Sequence, residues 1–341
     1  MLNFAIIGCG RIAPRHAQSI KNLPGAELVA VCDLVESRAL NIASKYGGTP
    51  YTDYRYIVDR KDIDIVNICV PSGLHSQIGQ EVAESVKHVL VEKPIALTLE
   101  DADSLIVKCE ENHVTLGVVL QNRFNPPMRE LRRVVDECQL GKLLLGNVTV
   151  RWYRPQAYYE DGLHGTWSMD GGVLMNQAIH HIDALQWFLG EPQSVFAYTA
   201  TLAHKMETED TGVAVIRFKN GALGVIEAST IVYPENLEGS LSLFGERGSV
   251  KVGGTALNRR VIWKIEGQLE LEQHLLARET VDPPTVYGFS HQEQIAEMMA
   301  AVLQNREPST SGHEARKSLQ LVTALYKSAH ECKEVFLNEH Q

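Results

Sequence analysis

The first 120 residues alternate between two rhythms of apolar and polar positions. Short apolar runs at Phe4–Ile7, Leu28–Cys32, Ile63–Val70, His88–Val91 and Val114–Leu120 are separated by segments of helical spacing near Asn41–Tyr46, Tyr54–Arg60 and Leu99–Asn112. Strands alternating with helices predict a doubly wound parallel sheet. Beyond residue 120 the texture changes. A helix over Met128–Cys138 precedes a strand of alternating apolar residues over Leu143–Tyr153. Two hairpin signals follow, Lys219-Asn220-Gly221-Ala222 and Gly245–Gly248, each between alternating runs. Helices near Gln292–Gln304 and Glu314–Lys333 end the chain. The pattern predicts an α/β domain over residues 1–120 and, over 121–341, an α+β domain with an open-faced, mostly antiparallel sheet.

One apolar segment carries an unusual density of polar chemistry. In DGGVLMNQAIHHID, Asp170–Asp183, the residues Val173, Leu174, Ile179, Ile182, Leu185 and Phe188 recur at roughly helical spacing, and Gly190 stops the run. Asn176 and His180, at i and i+4, then share a face, while His181 points about a quarter turn away. A buried helical histidine is commonly a packing residue. A metal reading of His180, His181 and Asp183 is weaker, because adjacent histidines diverge on a helix and no further ligand closes a site.

Composition narrows the classes. A chain of 341 residues is long enough for two cores, and its 44% hydrophobic and 22% charged residues are average for a globular enzyme. A formal charge of -10 with no basic cluster argues against nucleic acid, so an anionic ligand would need local arginines. No apolar run approaches the roughly 18 residues that span a bilayer. The opening MLNFAIIG reads as a first strand rather than a signal peptide, and six scattered cysteines read as free thiols. Together these imply a cytoplasmic protein with no membrane partner.

The first strand ends in GCGRIA, Gly8–Ala13, followed by a helix and a second strand. That order is the one a dinucleotide site needs: Gly8 permits the turn, Gly10 lets backbone approach a pyrophosphate, and the helix N-terminus faces it. The alternative is a generic strand-to-helix turn. Asp33 closes the second strand, where a carboxylate can accept from both ribose hydroxyls and repels a 2′-phosphate, so NAD is favoured over NADP. Arg38 qualifies this preference, since it could serve a phosphate if it folded back. Two later strands end in polar groups at the sheet's ligand edge. One is Pro71–His75, offering Ser72 and His75; the other is Glu92-Lys93-Pro94, where a rigid backbone holds Lys93. In the second half, Arg151–Trp167 combines two arginines with five aromatics, suiting either a ligand clamp or an oligomer contact.

Taken together, GCGRIAPRH at Gly8–His16, Glu92–Pro94 and the glycine-led helix ending at His180 resemble the Gfo/Idh/MocA family of NAD(P)-dependent oxidoreductases over essentially the whole chain. The resemblance implies a Rossmann domain followed by an open-faced antiparallel sheet that often builds homodimers or homotetramers. It implies that Lys93 and His180 act at a substrate hydroxyl. Within the family the likeness is to the WlbA/WbpB-like UDP-N-acetylglucosaminuronate 3-dehydrogenases of surface-polysaccharide synthesis, carried by Gln121–Pro126, Tyr153–Tyr159, Gly165–Gly172, Leu174–Asp183 and Tyr287–His291. A cofactor site on that pattern draws on Gly8, Gly10, Arg11, Ile12, Asp33, Arg38, Pro71, Ser72, His75, Glu92, Lys93, Gln121 and Trp167. The substrate side draws on Lys93, Arg123, Arg154, Tyr158, Asn176, Gln177 and His180, with no metal. Inositol and glucose dehydrogenases of the family commonly place aspartate where this chain has Asn176, which disfavours a polyol. Rival readings are a free-sugar or inositol dehydrogenase, an NAD-dependent glycosidase, and a cofactor-binding protein that turns nothing over.

Overall fold

The computed structural model describes residues 1–268 and 290–337. The chain divides into two units, one of residues 1–120 with 290–316, the other of 121–289 with 317–341. The expectation of an unbroken second domain over 121–341 is therefore corrected. Helix α8 (His291–Gln304) belongs to the first unit because Ile295, Met298 and Met299 fill that unit's core.

The first unit is a six-stranded parallel sheet in the order β3-β2-β1-β4-β5-β6, formed by β1 (Leu2–Ile7), β2 (Ala26–Cys32), β3 (Thr49–Tyr51), β4 (Ile65–Ile68), β5 (His88–Val91) and β6 (Leu116–Val118). Its central strands are mostly apolar because crossover helices cover both faces. Phe4, Ile6, Leu28 and Val31 pack with Ala13, Ala17 and Ile20 of α1 (Ala13–Asn22), Ala39 and Ile42 of α2 (Glu36–Tyr46), and the α8 side chains. Helix α3 (Arg55–Val58) is a single turn, α4 (His75–Glu84) packs against β4 and β5, and α5 (Leu99–Glu111) packs against α4. Reversal of strand order between β1 and β4 places the crevice for a ligand at the carboxyl ends of these two strands.

The second unit is built on an eight-stranded sheet, β13-β12-β11-β7-β10-β9-β8-β14. Its strands are β7 (Leu143–Arg151), β8 (Pro192–Ala200), β9 (Thr211–Phe218), β10 (Leu223–Ser229), β11 (Glu238–Gly245), β12 (Gly248–Gly253), β13 (Arg259–Ile265) and β14 (Val335–Phe336). Pairing is antiparallel except between β7 and β10. Helices α6 (Pro126–Asp136) and α7 (Ile179–Leu189) also lie in this unit, and α9 (Gly312–Glu331) runs from the first unit's residues into the second's. One sheet face buries Val148, Val150, Ile216, Ile226, Leu241 and Leu243, with α7 packed against β7 and β11. The other exposes Leu145, Tyr198, Val213, Val215, Leu223, Val225 and Phe244.

Candidate active site

In the first unit the glycine turn has the form a dinucleotide requires. Gly8 has φ +94°, and a Cβ there would stand 2.5 Å from the carbonyl oxygen of Cys69, so only glycine fits between β1 and the end of β4. At Gly10 a Cβ would meet nothing within 4 Å, leaving open space above the turn. The first turn of α1 has no acidic residue, and Ile12 at its N-cap makes no side-chain capping bond. Asp33 is fixed by the N–H of Cys9, which donates to Oδ2 at 2.8 Å, and by the N–H of Val35, which donates to Oδ1 at 2.8 Å. Arg38 lies 4.0 Å from Asp33 with its side chain 60% exposed, turned to solvent beside the carboxylate. These residues fit NAD: open backbone for the diphosphate and a held carboxylate for the ribose. Arg11 is exposed, while Ile12, Pro71 and Ser72 are half-buried, Ser72 opening a short 3₁₀ turn.

His75 does not line this edge. It is buried, with Nδ1 2.7 Å from the carbonyl oxygen of Pro94 and Nε2 3.0 Å from that of Val70, and burial pushes its pKa down. Its ring ties the end of β4 to the turn carrying Lys93, a supporting role that the sequence did not separate from ligand contact. Lys93 itself is half-buried.

Behind Lys93 lies a cluster that the sequence did not join: Glu92 was placed in the cofactor site, and His16 and His291 were given no role. Glu92 Oε1 is 2.7 Å from His16 Nε2 and 3.9 Å from His291 Nε2, and the N–H of Lys93 donates to Glu92 Oε2 at 3.3 Å. The Asn67 amide lies 2.9 Å from His16 Nδ1, so with Asn67 donating there, the His16 Nε2–H is left to donate to Glu92. Burial alone would raise the Glu92 carboxyl. The hydrogen bond from His16 and the fields of His16, His291 and Lys93 overcome burial and bring it down to about 2. His291 is pushed by burial to about 4 and is neutral at physiological pH. Ligand atoms of His16, Glu92 and His291 lie within 4.8 Å of one another. The 2.7 Å contact is nevertheless that of a hydrogen bond, shorter than the roughly 3.4 Å separating two zinc ligands at about 2.1 Å.

In the second unit the segment after Gly171-Gly172 is not a continuous α-helix. Val173–Gln177 forms a π-helical turn, closed by the N–H of Ala178 donating to the carbonyl of Val173 at 2.8 Å, and α7 begins only at Ile179. The expectation that Asn176 and His180 share an α-helical face is corrected accordingly, because the wider turn shifts residues off the 3.6-residue period. The Asn176 amide donates to Asp170 Oδ1 at 2.5 Å, and Asp170 Oδ2 accepts from the N–H of Gly165 at 2.9 Å. Gln177 is buried. His180 is half-buried, with Nε2 3.3 Å from Gln121 Nε2, a contact that suits a neutral ring protonated on Nδ1. His181, one residue on, is 1% exposed, packs edge-on against Trp152 and is pushed by burial to about 4.

The arginines divide. Arg123 makes a buried bidentate pair with Asp183 at 2.8 and 2.7 Å, and Asp183 also accepts from Ser318 at 2.6 Å. Its charge is thereby neutralised within the fold, which corrects its expected place as a substrate counter-charge. Arg151 is likewise matched by Glu227 and Glu238. Arg154 instead lies over the rings of Trp152 and Tyr158 at 5.2 and 5.6 Å and donates to Asn236 Oδ1 at 3.1 Å, with no carboxylate among these contacts. Tyr158 is half-buried against His164, and Trp167 is 52% exposed with its ring against Tyr326. Tyr287–Phe289, part of the last motif of the resemblance, lie outside the described residues. Thr208-Glu209-Asp210 was also passed over. Thr208 and Glu209 bind the Gly165–Leu174 loop, and Asp210 binds the N–H groups of Leu202, Ala203 and His204. Its sequence signal is an acidic pair placed directly before an alternating strand.

Residues 2–120 match the oxidoreductase family with an NAD-binding Rossmann fold, and residues 128–251 match the GFO/IDH/MocA C-terminal domain. The WlbA dehydrogenase of Bordetella pertussis, solved with NADH and UDP-GlcNAcA, is 36% identical with a TM-score of 0.89, covering 99% of each chain. That of Chromobacterium violaceum, solved with the same ligands, is 36% identical with a TM-score of 0.91, covering 100% of this chain and 97% of its own. Myo-inositol 2-dehydrogenase of Thermotoga maritima is 28% identical over 99% of both chains. With the glycine turn, held aspartate and two-sheet architecture already in place, these likenesses settle the assignment: the chain belongs to the Gfo/Idh/MocA family of oxidoreductases, with an NAD-binding Rossmann domain at its N-terminus.

Proposed function

We propose that the chain is a dehydrogenase that oxidises the C3 hydroxyl of UDP-N-acetylglucosaminuronate or a related nucleotide sugar, serving surface-polysaccharide synthesis. Supporting this is the likeness at 36% identity, over nearly all of both chains, to two enzymes solved with NADH and UDP-GlcNAcA. His180 takes the hydroxyl proton through Nε2, the nitrogen that faces the Gln121 amide, and the substrate hydroxyl replaces that amide as its hydrogen-bond partner. Lys93, on a backbone fixed by Glu92 and His75, stabilises the oxygen as negative charge develops. NAD, when bound, supplies the acceptor for the hydride leaving the carbinol carbon. Arg154, held over two aromatic rings, contributes counter-charge to the diphosphate or carboxylate, with Tyr158 alongside. The exposed apolar sheet face is the surface on which copies of the chain assemble as a dimer or tetramer, which sedimentation of the free protein tests.

General-base help contributes roughly 100- to 10,000-fold. Replacing His180 by alanine is expected to lower turnover of the UDP-sugar at least a hundredfold while NAD affinity holds; near-parent turnover removes the assignment. The 28% identity to an inositol dehydrogenase supports a second reading, a free polyol as substrate. Asn176, whose amide is engaged by Asp170, speaks against it. Turnover of myo-inositol with no gain from a UDP-sugar would select that second reading.

A further inference from the structure

We propose that Glu209 is a positioning residue for the oxidation: its buried carboxyl pins the π-helical turn that sets Asn176 and leads into His180. This rests on His180 being the base.

The geometry converges on one side chain. Glu209 Oε1 accepts from the N–H of Leu174 at 3.0 Å and from the hydroxyl of Tyr326, on α9, at 2.9 Å, while the Glu209 carbonyl accepts from the N–H of Val173 at 3.0 Å. The first two residues of the turn therefore hang on a single residue. A π-helical turn leaves its leading N–H groups without partners inside the turn, so an outside acceptor is what allows it to form in the interior. Space for that acceptor is reserved in the sequence. A Cβ at Gly172 would stand 1.9 Å from Glu209 Oε2, so the glycine pair makes room for the carboxyl as well as for the bend.

Among the described residues no cation faces this carboxyl. Its described titratable neighbours are the Tyr326 phenol and the Asp210 carboxylate, and Oε2, fully buried, meets no hydrogen-bond donor among the described residues. Burial raises Glu209 to about 7, against the pull of the Leu174 N–H, its own backbone and Tyr326. A group that prefers its proton when the turn is closed favours opening once the proton leaves. Proton loss above neutrality therefore loosens the turn and draws water to the carboxylate. This gives turnover a falling alkaline limb, opposite in sign to the rising limb that a histidine base produces.

The test compares parent and Glu209→Gln, an uncharged side chain of the same shape. At about pH 8 roughly a tenth of the parent carboxyl keeps its proton, so parent kcat is expected to be roughly tenfold below that of Glu209→Gln, with the two equal at about pH 6 and NAD affinity unchanged. Superimposable pH profiles overturn the proposal. If Glu209→Gln fails to fold, Tyr326→Phe removes a donor that favours the carboxylate and must move the alkaline limb to higher pH; an unmoved limb overturns it equally. Hydrogen exchange over residues 172–178, corrected for its intrinsic pH dependence, must quicken above about pH 7 in the parent and not in Glu209→Gln. The exchange arm needs no substrate, so it stands or falls separately from the assignment of His180, which His180→Ala decides.

Discussion

Two glutamates, one in each unit, are buried almost alike, Glu92 at 8% exposure and Glu209 at 4%, yet burial leaves them at opposite ends of the carboxyl range. Glu92 is brought down to about 2 and Glu209 is pushed up to about 7. Both accept hydrogen bonds from a backbone N–H and a side chain. The difference is the kind of partner. Glu92 has a hydrogen-bonded imidazole and an adjacent lysine, whereas Glu209 has a phenol, an amide and a neighbouring acid. Dipoles alone do not repay the desolvation of a carboxylate; a cationic partner does. The first centre is thus built to keep a charge behind Lys93, and the second to hold a proton beneath the π-helical turn.

The strongest way to break the contrast is to remove the partner of Glu92. His16→Ala leaves a buried carboxylate without its imidazole donor, and stability measured by denaturant unfolding at neutral pH is expected to fall by about 3 kcal/mol. Adding Glu92→Gln should return part of that loss, and a further loss on adding it would contradict the ionic reading.

pH sharpens the same comparison, because the two carboxyls act with opposite signs. Glu92, depressed in the folded chain, contributes stability that is present above the ordinary glutamate value and lost as pH falls toward 2. Glu209, raised, contributes stability that is present below that ordinary value and lost as pH rises through about 7. The Glu209 contribution is on the order of 3 kcal/mol. Glu209→Gln should therefore unfold at higher denaturant than the parent at about pH 8 and show no such gain at about pH 4. Equal gains at both would mean that the carboxyl does not titrate in the fold. The smallest expected effect is that of Gly172→Ala, whose methyl collides with Glu209 Oε2; overpacking of this kind costs roughly 1–3 kcal/mol. Combining it with Glu209→Ala should cancel most of that cost, and simple additivity would place the strain elsewhere.

Much of the first unit was legible in the sequence because its signals are local. Gly8, Gly10 and Asp33 mark one strand–turn–helix–strand passage, and Lys93 sits at a strand end that proline makes rigid. Long-range pairings were not legible: the parallel match of β7 with β10, and the strands β8 and β13, whose registers depend on partners far along the chain. The His16–Glu92 contact spans 76 residues, and no spacing rule connects either residue to His291. Asn176 and His180 were misplaced relative to each other because periodicity assumes an α-helix and five residues here follow a wider turn. Glu209 was missed because Glu207-Thr208-Glu209-Asp210 reads as a solvated charge run, and only tertiary burial tells it apart.

Ile295, Met298 and Met299 complete a core whose other members lie before residue 120. During synthesis the nucleotide-binding sheet consequently emerges with part of its apolar surface bare, and it cannot seal that surface until His291–Gln304 has left the ribosome. A fragment ending at the apparent boundary near residue 120 would carry the same wound permanently, and should be made with residues 290–316 supplied, in line or in trans, if it is to fold.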